Sequence, residues 1–166
     1  MDVSQYLEIF LDETNEHLQN LNTQILELES DPENMDNINE IFRAAHSLKG
    51  MAGTMGYKRM QNLTHDMENV FSEVRNGNIK VTPEMIDVLF QCLDALDEYK
   101  NNIQETSDEG TNDNENLIKA LNDILQIMLQ AEKYVASLAK SVQEYDNVNL
   151  DTPSARNSFL QGLQTP

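Results

Sequence analysis

The sequence predicts an all-α protein, built as an antiparallel up-down four-helix bundle with an additional fifth helix. Apolar residues recur at steps of three and four in five separate segments, the spacing that places them on one face of an α-helix. Strict alternation of apolar and polar residues, the pattern of a half-buried strand, is rare. Six glycines and four prolines among 166 residues leave few breaks. Short polar connections between the first four segments favour helices that run up and down beside one another.

The first two helices are predicted over residues 4–30 and 36–55. Ser4 is the expected N-cap of the first helix, and Pro32 ends it because the residue before a proline avoids the helical conformation. The first apolar stripe is Leu7, Phe10, Thr14, Leu18, Leu21, Ile25 and Leu28. The second is Ile38, Ile41, Ala45, Leu48 and Ala52, with Phe42 beside it. The glycines at the end of the second helix cost about 1 kcal/mol each if helical, so they require a reason. They are Gly50, Gly53 and Gly56.

The third and fourth helices are predicted over residues 58–76 and 82–104. Gly77 is a natural C-terminal stop for the third helix. The run at residues 82–84, Thr-Pro-Glu, supplies an N-cap, a proline at the first helical position and an acid in the first turn. The two apolar stripes are Met60, Leu63, Met67, Val70 and Val74, and Met85, Leu89, Cys92, Leu96, Tyr99 and Ile103. Because Cys92 is the only cysteine and lies on a stripe, we expect a packed core thiol.

The remainder of the chain is predicted as three pieces. Residues 105–115 form an acidic linker, residues 116–145 form the fifth helix, and residues 146–166 form a linker or tail in which residues 154–163 fit a short helix. The fifth helix keeps a strict seven-residue repeat of Leu117, Leu121, Ile124, Met128, Ala131, Val135, Leu138, Val142 and Tyr145. A stable monomer rarely exposes such a face, so we expect it to pack against the chain's own bundle. Pairing between two copies of the chain is the alternative.

The charge of the chain excludes some classes of partner. Eleven Lys and Arg face 29 Asp and Glu, and the net charge of −18 argues against nucleic acid and anionic membranes. No apolar run approaches the ~20 residues of a membrane helix, and the N-terminus does not resemble a signal peptide, so a cytoplasmic location is expected. Residues 40–80 carry six of the cations and only four acids. A local anion site and chance clustering both explain that excess.

His46 is the candidate nucleophile of the second helix. It lies one position off the apolar stripe, a rotation of ~100°, so it faces the side of the bundle. Its neighbours on that face are Phe42, Arg43, Lys49, Gly50 and Gly53. Glycines there leave the imidazole open to the backbone of another protein. Close contact between helices through the same glycines is the alternative.

The third helix supplies a carboxylate and a second imidazole. His65 and Glu68 are three residues apart, so they share a face that lies off the apolar stripe. If that face turns towards the second helix, a carboxylate on one ring nitrogen of His46 fixes the tautomer and leaves the other nitrogen free. The alternative is that both are solvated surface residues.

A metal site is not expected. The chain has three histidines, His17, His46 and His65. A di-iron bundle uses two Glu-x-x-His repeats together with a glutamate from each of two further helices. Here the order near the candidate site is His-x-x-Glu, and it occurs once.

Two motifs resemble one family. The run from His46 to Gly56, HSLKGMAGTMG, resembles the phosphorylation motif of the first domain of the CheA family of bacterial chemotaxis histidine kinases. The run from His65 to Glu68, HDME, is similar to the partner motif of that family, and the opening FLDET at residues 10–14 also fits. The resemblance covers about residues 3–104 and is specific, because both motifs and the helix order agree. It implies that residues 1–104 form a histidine phosphotransfer bundle.

The resemblance also implies roles for four residues. His46 is the phosphoacceptor, Glu68 orients its ring, and Lys49 and His65 belong to the surrounding hydrogen-bond network. Lys49 offers a point charge that stabilises the phosphoryl group. No Gly-rich nucleotide motif is present, so the resemblance implies that the ATP-binding domain lies elsewhere in a longer polypeptide.

The expected function is that of a phosphoryl carrier in two-component chemotaxis signalling. His46 would accept the phosphoryl group of ATP from the kinase domain of the parent protein and pass it to an aspartate of a response regulator. These two partners would supply ATP and Mg²⁺, and the bundle itself would bind no cofactor. Whether such a fragment counts as an enzyme is left open. A non-catalytic scaffold or dimerisation bundle and a metal-binding bundle are the alternatives.

Overall fold

The computed structural model describes residues 2–147 and 153–164, and within those ranges all regular structure is helical. The six helices are α1 (Val3–Ser30), α2 (Met35–Met55), α3 (Lys58–Arg75), α4 (Pro83–Thr106), α5 (Glu115–Asp146) and α6 (Pro153–Gln164). The chain divides into two compact units, the first ending at Gln126 and the second beginning at Ile127. None of the helices in the described ranges is both long and apolar enough to cross a membrane.

Helices α1 to α4 form a bundle in the first unit. α1 packs on α2 and α4, and α3 packs on the same two helices. The connections between successive helices are short, which forces neighbouring helices to run antiparallel. The fully buried side chains come from all four helices and include Leu21, Ile25, Ile41, Leu48, Met60, Leu63, Met67, Leu89 and Leu96. The predicted all-α bundle is therefore confirmed.

The helix ends follow from local chemistry, with one correction. Thr82 caps α4 as predicted, since its Oγ1 accepts from the Met85 N–H at 3.2 Å. The N-cap prediction for α1 was wrong: Asp2 is the N-cap, and Ser4 lies inside the helix and donates from Oγ to Asp2 Oδ2 at 2.8 Å. α4 continues two residues past its predicted end at residue 104, because Ser107 adopts the left-handed conformation that closes it.

Cys92 is packed in the core, as predicted from its place on the α4 stripe. Burial, together with the negative charge of Asp66, raises the pKa of its thiol to about 12. A thiol so far from ionisation is a poor nucleophile and serves as a small apolar side chain.

The connection from α4 to α5, residues 107–114, does more than link two helices. Glu109 is only 6% exposed, and its carboxylate accepts the backbone N–H of Arg59 at 2.9 Å and of Met60 at 3.0 Å. These N–H groups belong to the first turn of α3, where the N-cap residue Tyr57 offers no side-chain acceptor. Glu109 therefore caps α3 from fifty residues away in the sequence. The segment predicted as an acidic linker is a structural part of the bundle.

Further hydrogen bonds hold the same connection in place. Arg59 Nε donates to Asp113 Oδ1 at 2.6 Å. The Tyr99 hydroxyl donates to the Asn112 carbonyl at 2.6 Å and accepts from Asn114 Nδ2 at 2.7 Å. The connection is thereby fastened to both α3 and α4.

The apolar face of α5 is buried or partly buried at its start and exposed further along the helix. Leu121 is fully buried in the core, and the partly buried residues that pack there with it are Leu117, Ile118, Ile124 and Leu125. In the second unit the stripe is exposed, with Val135 at 63% and Leu138, Val142 and Tyr145 also open. The prediction that the stripe packs against the chain's own bundle is confirmed for its first part, which ends at Leu125. Pairing of the exposed part with another copy stays a prediction.

The second unit contains a helix where the sequence favoured a linker or tail. α6 covers Pro153–Gln164, close to the short helix that residues 154–163 were expected to fit. Within this unit the rings of Tyr145 and Phe159 form an edge-to-face pair, with centroids 4.8 Å apart. The rest of the predicted tail, residues 148–152 and 165–166, lies outside the described residues.

Candidate functional site

His46 stands on an open face of α2. Its side chain is 63% exposed, and its Nδ1 lies 2.9 Å from Glu68 Oε1 on α3. The off-stripe position predicted from the sequence therefore places the imidazole between solvent and the neighbouring helix. The face of α3 that carries Glu68 turns towards α2, as the tautomer hypothesis required.

Glu68 is the least exposed member of the site, at 14% of its side chain. Its second oxygen, Oε2, has Lys49 as its polar partner, with Nζ at 2.5 Å. Burial opposes ionisation of this carboxyl, but the contacts with Lys49 and His46 outweigh it and lower the pKa of Glu68 below its ordinary value. The group is therefore an anion over the physiological range.

An ionised carboxylate fixes the tautomer of the imidazole. Because it can only accept hydrogen bonds, the proton on the neutral His46 ring belongs to Nδ1. Nε2 then keeps its lone pair, and this atom is the available nucleophile. The arrangement of His46 and Glu68 expected from the sequence is thus present, and their roles in phosphoryl transfer stay predictions.

The helical glycines beside His46 have different surroundings. A Cβ added at Gly50 would meet nothing within 4 Å, so this position leaves open space one turn from the imidazole. A Cβ added at Gly53 would lie 2.5 Å from Nε2 of Gln61, on α3. Gly50 therefore fits the open-face explanation, whereas Gly53 fits the contact between helices. Both alternatives from the sequence apply, each at a different glycine.

His65 stands apart from the other predicted site residues. It is exposed, and its Nε2 lies 3.3 Å from Asn69 Nδ2. In the described part of the chain no hydrogen bond or ion pair joins it to His46, Glu68 or Lys49. Of the four predicted site residues, the structure brings three together. A role for His65 in the network stays a prediction.

Two aromatic contacts lie near His46, and the second involves a residue that the sequence did not single out. The Phe42 and His46 rings lie nearly parallel, at 16°, with centroids 6.3 Å apart. Arg75, in the last turn of α3, places its guanidinium carbon 4.1 Å from the Phe42 ring centroid. The sequence feature that could have identified Arg75 is its spacing of two helical turns from Glu68, which puts both residues on one face of α3.

The cations of residues 40–80 are divided between different tasks. Lys49 pairs with Glu68, and Arg43 pairs with Glu40 at 2.9 Å on α2. Arg59 instead binds the α4–α5 connection. Within the described residues no group of three or more His, Cys, Asp and Glu side chains is arranged to hold a metal ion.

Comparison with known proteins places the bundle in one family. Residues 5–99 match the family model described as the Hpt domain. The chain is 47% identical over 108 residues to the chemotaxis protein CheA of Bacillus subtilis, an alignment that covers 65% of this chain and 16% of the relative. The chain thus spans about a sixth of the length of this curated relative.

Two solved structures agree with that assignment. The CheA phosphotransferase domain from Thermotoga maritima is 47% identical, with a TM-score of 0.60, and the match covers 63% of this chain and 99% of that domain. The phosphorylated P1 domain of CheA3 from R. sphaeroides, solved in complex with CheY6, shares the fold at 21% identity. Its TM-score is 0.66, over 72% of this chain and 94% of that chain.

Proposed function

The chain belongs to the Hpt domain family, and on that premise we propose that it is the phosphoryl carrier of a two-component chemotaxis system. His46 accepts the phosphoryl group of ATP from the kinase domain of a longer parent protein and passes it to an aspartate of a response regulator. The observation that carries the proposal is the Nδ1 contact with Glu68, which leaves Nε2 as an open nucleophile.

In the loading step His46 Nε2 attacks the γ-phosphorus of ATP held by the kinase domain. An N–P bond forms as the bond from phosphorus to the β,γ-bridging oxygen breaks, and ADP leaves. The ring gains a positive charge, which the Glu68 carboxylate stabilises at 2.9 Å from Nδ1. Lys49 offers a positive charge for the phosphoryl oxygens, and it also holds the carboxylate in place. The Nδ1 proton does not have to move.

In the unloading step a carboxylate oxygen of the receiver aspartate attacks the same phosphorus. The N–P bond breaks, and its electron pair returns to Nε2, which restores the neutral ring. The phosphorylated P1 domain in complex with CheY6 supports a response regulator as the acceptor, because the present bundle shares its fold. The open space at Gly50 provides room for the backbone of such a partner beside the imidazole.

The remaining components of the reaction are assigned to other domains. We propose that ATP and Mg²⁺ are supplied by the kinase and receiver partners, and that the carrier works in the cytoplasm. The CheA relative of Bacillus subtilis supports this division, since the chain matches only 16% of its length. The chain is then a fragment of a histidine kinase that acts as phosphoacceptor and carrier.

Labelling with radioactive ATP tests the proposal. We expect a CheA protein that lacks its own phosphotransfer domain to label the wild-type chain, and to leave the His46→Gln variant unlabelled. His17→Gln is the matched control, because it makes the same chemical change on α1. Circular dichroism should give the same helix content for all three proteins. Undiminished labelling of His46→Gln would overturn the assignment.

The same experiment separates the proposal from its two alternatives. A scaffold or dimerisation bundle would take up no label at any residue. A metal-binding bundle would carry a stoichiometric metal after purification, which elemental analysis measures. Labelling of the wild type without metal supports the carrier.

A further inference from the structure

Phe42 lies one helical turn before His46, and the mechanism above gives it no task. Its ring is half-buried against the bundle core and nearly parallel to the imidazole, at 16° and 6.3 Å between centroids. The imidazole is otherwise open on that face of α2, since its side chain is 63% exposed. Phe42 is therefore the aromatic neighbour of the imidazole on the side that faces the N-terminus of α2.

Arg75 holds the Phe42 ring from the neighbouring helix. A guanidinium carbon 4.1 Å from the ring centroid lies within the range of a cation–π contact. Among the described residues Arg75 makes no ion pair with a carboxylate, so a salt bridge does not explain its position. Its place in the last turn of α3 is favourable for a cation, and from there it reaches across to α2.

Side chains of α3 thus contact the face of α2 at two positions, which lie one helical turn apart on α2. Glu68 meets the edge of the imidazole, and Arg75, two turns further along α3, meets the ring of Phe42. The two helices run antiparallel, so moving forwards along α3 corresponds to moving backwards along α2, from His46 to Phe42. The imidazole of His46 therefore has a hydrogen-bond partner at its edge, Glu68, and an aromatic neighbour, Phe42, whose ring is contacted by Arg75.

We propose that Phe42, held by Arg75, is a positioning residue for His46. It limits the rotation of the imidazole so that Nδ1 stays on Glu68 and Nε2 points outwards. A single hydrogen bond fixes one atom of the ring and leaves the ring free to hinge about that atom. A flat neighbour that is parallel to the ring removes that freedom. This inference rests on the proposed function, because it concerns the readiness of the same nucleophile.

The first test measures the ring itself and requires no reaction. Nitrogen NMR of the full chain reports which ring nitrogen of His46 carries the proton. We expect the wild type to show the Nδ1–H form alone, and Phe42→Leu, which keeps apolar volume but removes the ring, to show a mixture of both tautomers. Phe42→Tyr keeps the ring and should restore the single form. A single tautomer in Phe42→Leu would overturn the proposal.

The second test measures reactivity without a protein partner. Phosphoramidate phosphorylates histidine directly: the N–P bond to His46 Nε2 forms, the P–N bond of the reagent breaks, and ammonia leaves. We expect Phe42→Leu to react about three- to tenfold more slowly than the wild type, the range that an aromatic pair contact supports. Phe42→Tyr should react at the wild-type rate. Equal rates for Phe42→Leu and the wild type would overturn the proposal.

Arg75 is tested with a matched control and a double substitution. Arg75→Gln should slow the phosphoramidate reaction, whereas Arg43→Gln removes the same charge from the face of α2 and should not. In the Phe42→Leu background, Arg75→Gln should have no further effect, because Arg75 acts through the ring. Independent, multiplicative effects of the two substitutions would overturn the coupling and with it the proposal.

The outcomes distinguish this inference from the proposed function. A first outcome is that phosphoramidate phosphorylates a wild-type chain that the kinase does not label. In that case the carrier function fails, and the NMR experiment alone decides whether Phe42 positions the imidazole. If the kinase labels the wild type and Phe42→Leu shows an unchanged tautomer and an unchanged rate, the carrier stands and the positioning role fails. Urea unfolding of each variant identifies any rate loss that comes from an unfolded fraction.

Discussion

Two largely buried carboxylates, one on α3 and one packed against its first turn, perform different tasks. Glu68, on α3 itself, contacts two side chains, the imidazole of His46 and the ammonium of Lys49. Glu109, in the α4–α5 connection, contacts two backbone N–H groups in the first turn of the helix. Both side chains are largely buried, at 14% and 7% exposure, so burial does not distinguish them.

The difference lies in what each carboxylate binds. Backbone N–H groups never change protonation, and Glu109 therefore holds one fixed arrangement that contributes to stability. An imidazole changes its charge during phosphoryl transfer, and a carboxylate beside it responds to that change. The partner atoms of a buried carboxylate, more than its burial, indicate whether it supports a reaction or a fold. Four predictions test this comparison, from the largest expected effect to the smallest.

The largest effect is expected for Glu68→Ala, measured as the rate of labelling by kinase and ATP. Loss of the carboxylate leaves both tautomers of His46 populated and the charged ring without a counterion, and groups of this kind contribute on the order of 10²- to 10⁴-fold in rate. Lys49→Ala is compared for stability and should change the free energy of unfolding by roughly 0.5 kcal/mol or less. Wild-type labelling by Glu68→Ala would show that Glu68 does not orient His46.

Glu109→Ala should have the opposite profile. Two N–H groups at the start of α3 lose their acceptor, so we expect the free energy of unfolding to fall by about 1–3 kcal/mol. The labelling rate of the folded variant should stay that of the wild type. Urea denaturation measures the first quantity. Glu105→Ala removes the same charge from an exposed position on α4 and serves as control; an equal loss of stability in both variants would contradict the capping role.

A smaller effect is expected for Tyr99→Phe. The ring stays in the core, but the hydroxyl contacts with Asn112 and Asn114 are lost, which should cost about 1 kcal/mol of unfolding free energy. Tyr6→Phe, at an exposed position of α1, makes the same change and should be neutral. If the two variants unfold at the same urea concentration, the hydroxyl does not help to hold the α4–α5 connection.

The smallest effect is a dependence on pH. Since the folded pKa of Glu68 lies below its ordinary value of 4.5, the carboxylate stabilises the fold above that pH. This contribution is lost as the pH falls through the lowered folded pKa. The stability difference between the wild type and Glu68→Gln should therefore shrink as the pH falls below the ordinary pKa of the carboxyl. A difference that grows on acidification would mean that the folded pKa is raised.

The sequence predicted the bundle because its information is local. Apolar spacing marks each helix, and Thr82 marks the start of α4 through residues that adjoin it. Glu109 left no such signal, since its partners at residues 59 and 60 lie fifty positions away and any acid in the linker would look alike. Only the packing of the α4–α5 connection against α3 distinguishes Glu109 from the other acids of that segment. Arg75 was missed for a related reason, because its contact with Phe42 crosses between helices.

α5 shows where periodicity stops being informative. Leu121 and Val135 occupy the same position of one heptad repeat, yet the first is fully buried and the second is 63% exposed. A repeat predicts that a helix has an apolar face, but not what lies opposite that face at each turn. The spacing of His65 from Glu68 likewise predicts a shared helical face, but it does not indicate that the hydrogen-bond partner of His65 is Asn69.

The placement of a single accessible nitrogen on His46 has a consequence for the order of events. Donor and acceptor must both approach Nε2, because Nδ1 is occupied by Glu68. Under the proposed function, the kinase and the response regulator therefore cannot engage this nitrogen together, and the two half-reactions would follow a ping-pong sequence in which the loaded carrier is released between them. On the same proposal, an excess of unphosphorylated response regulator would compete with the kinase for the empty carrier. The proposed function therefore predicts that the rate of phosphoryl transfer through His46 is greatest at an intermediate concentration of the acceptor.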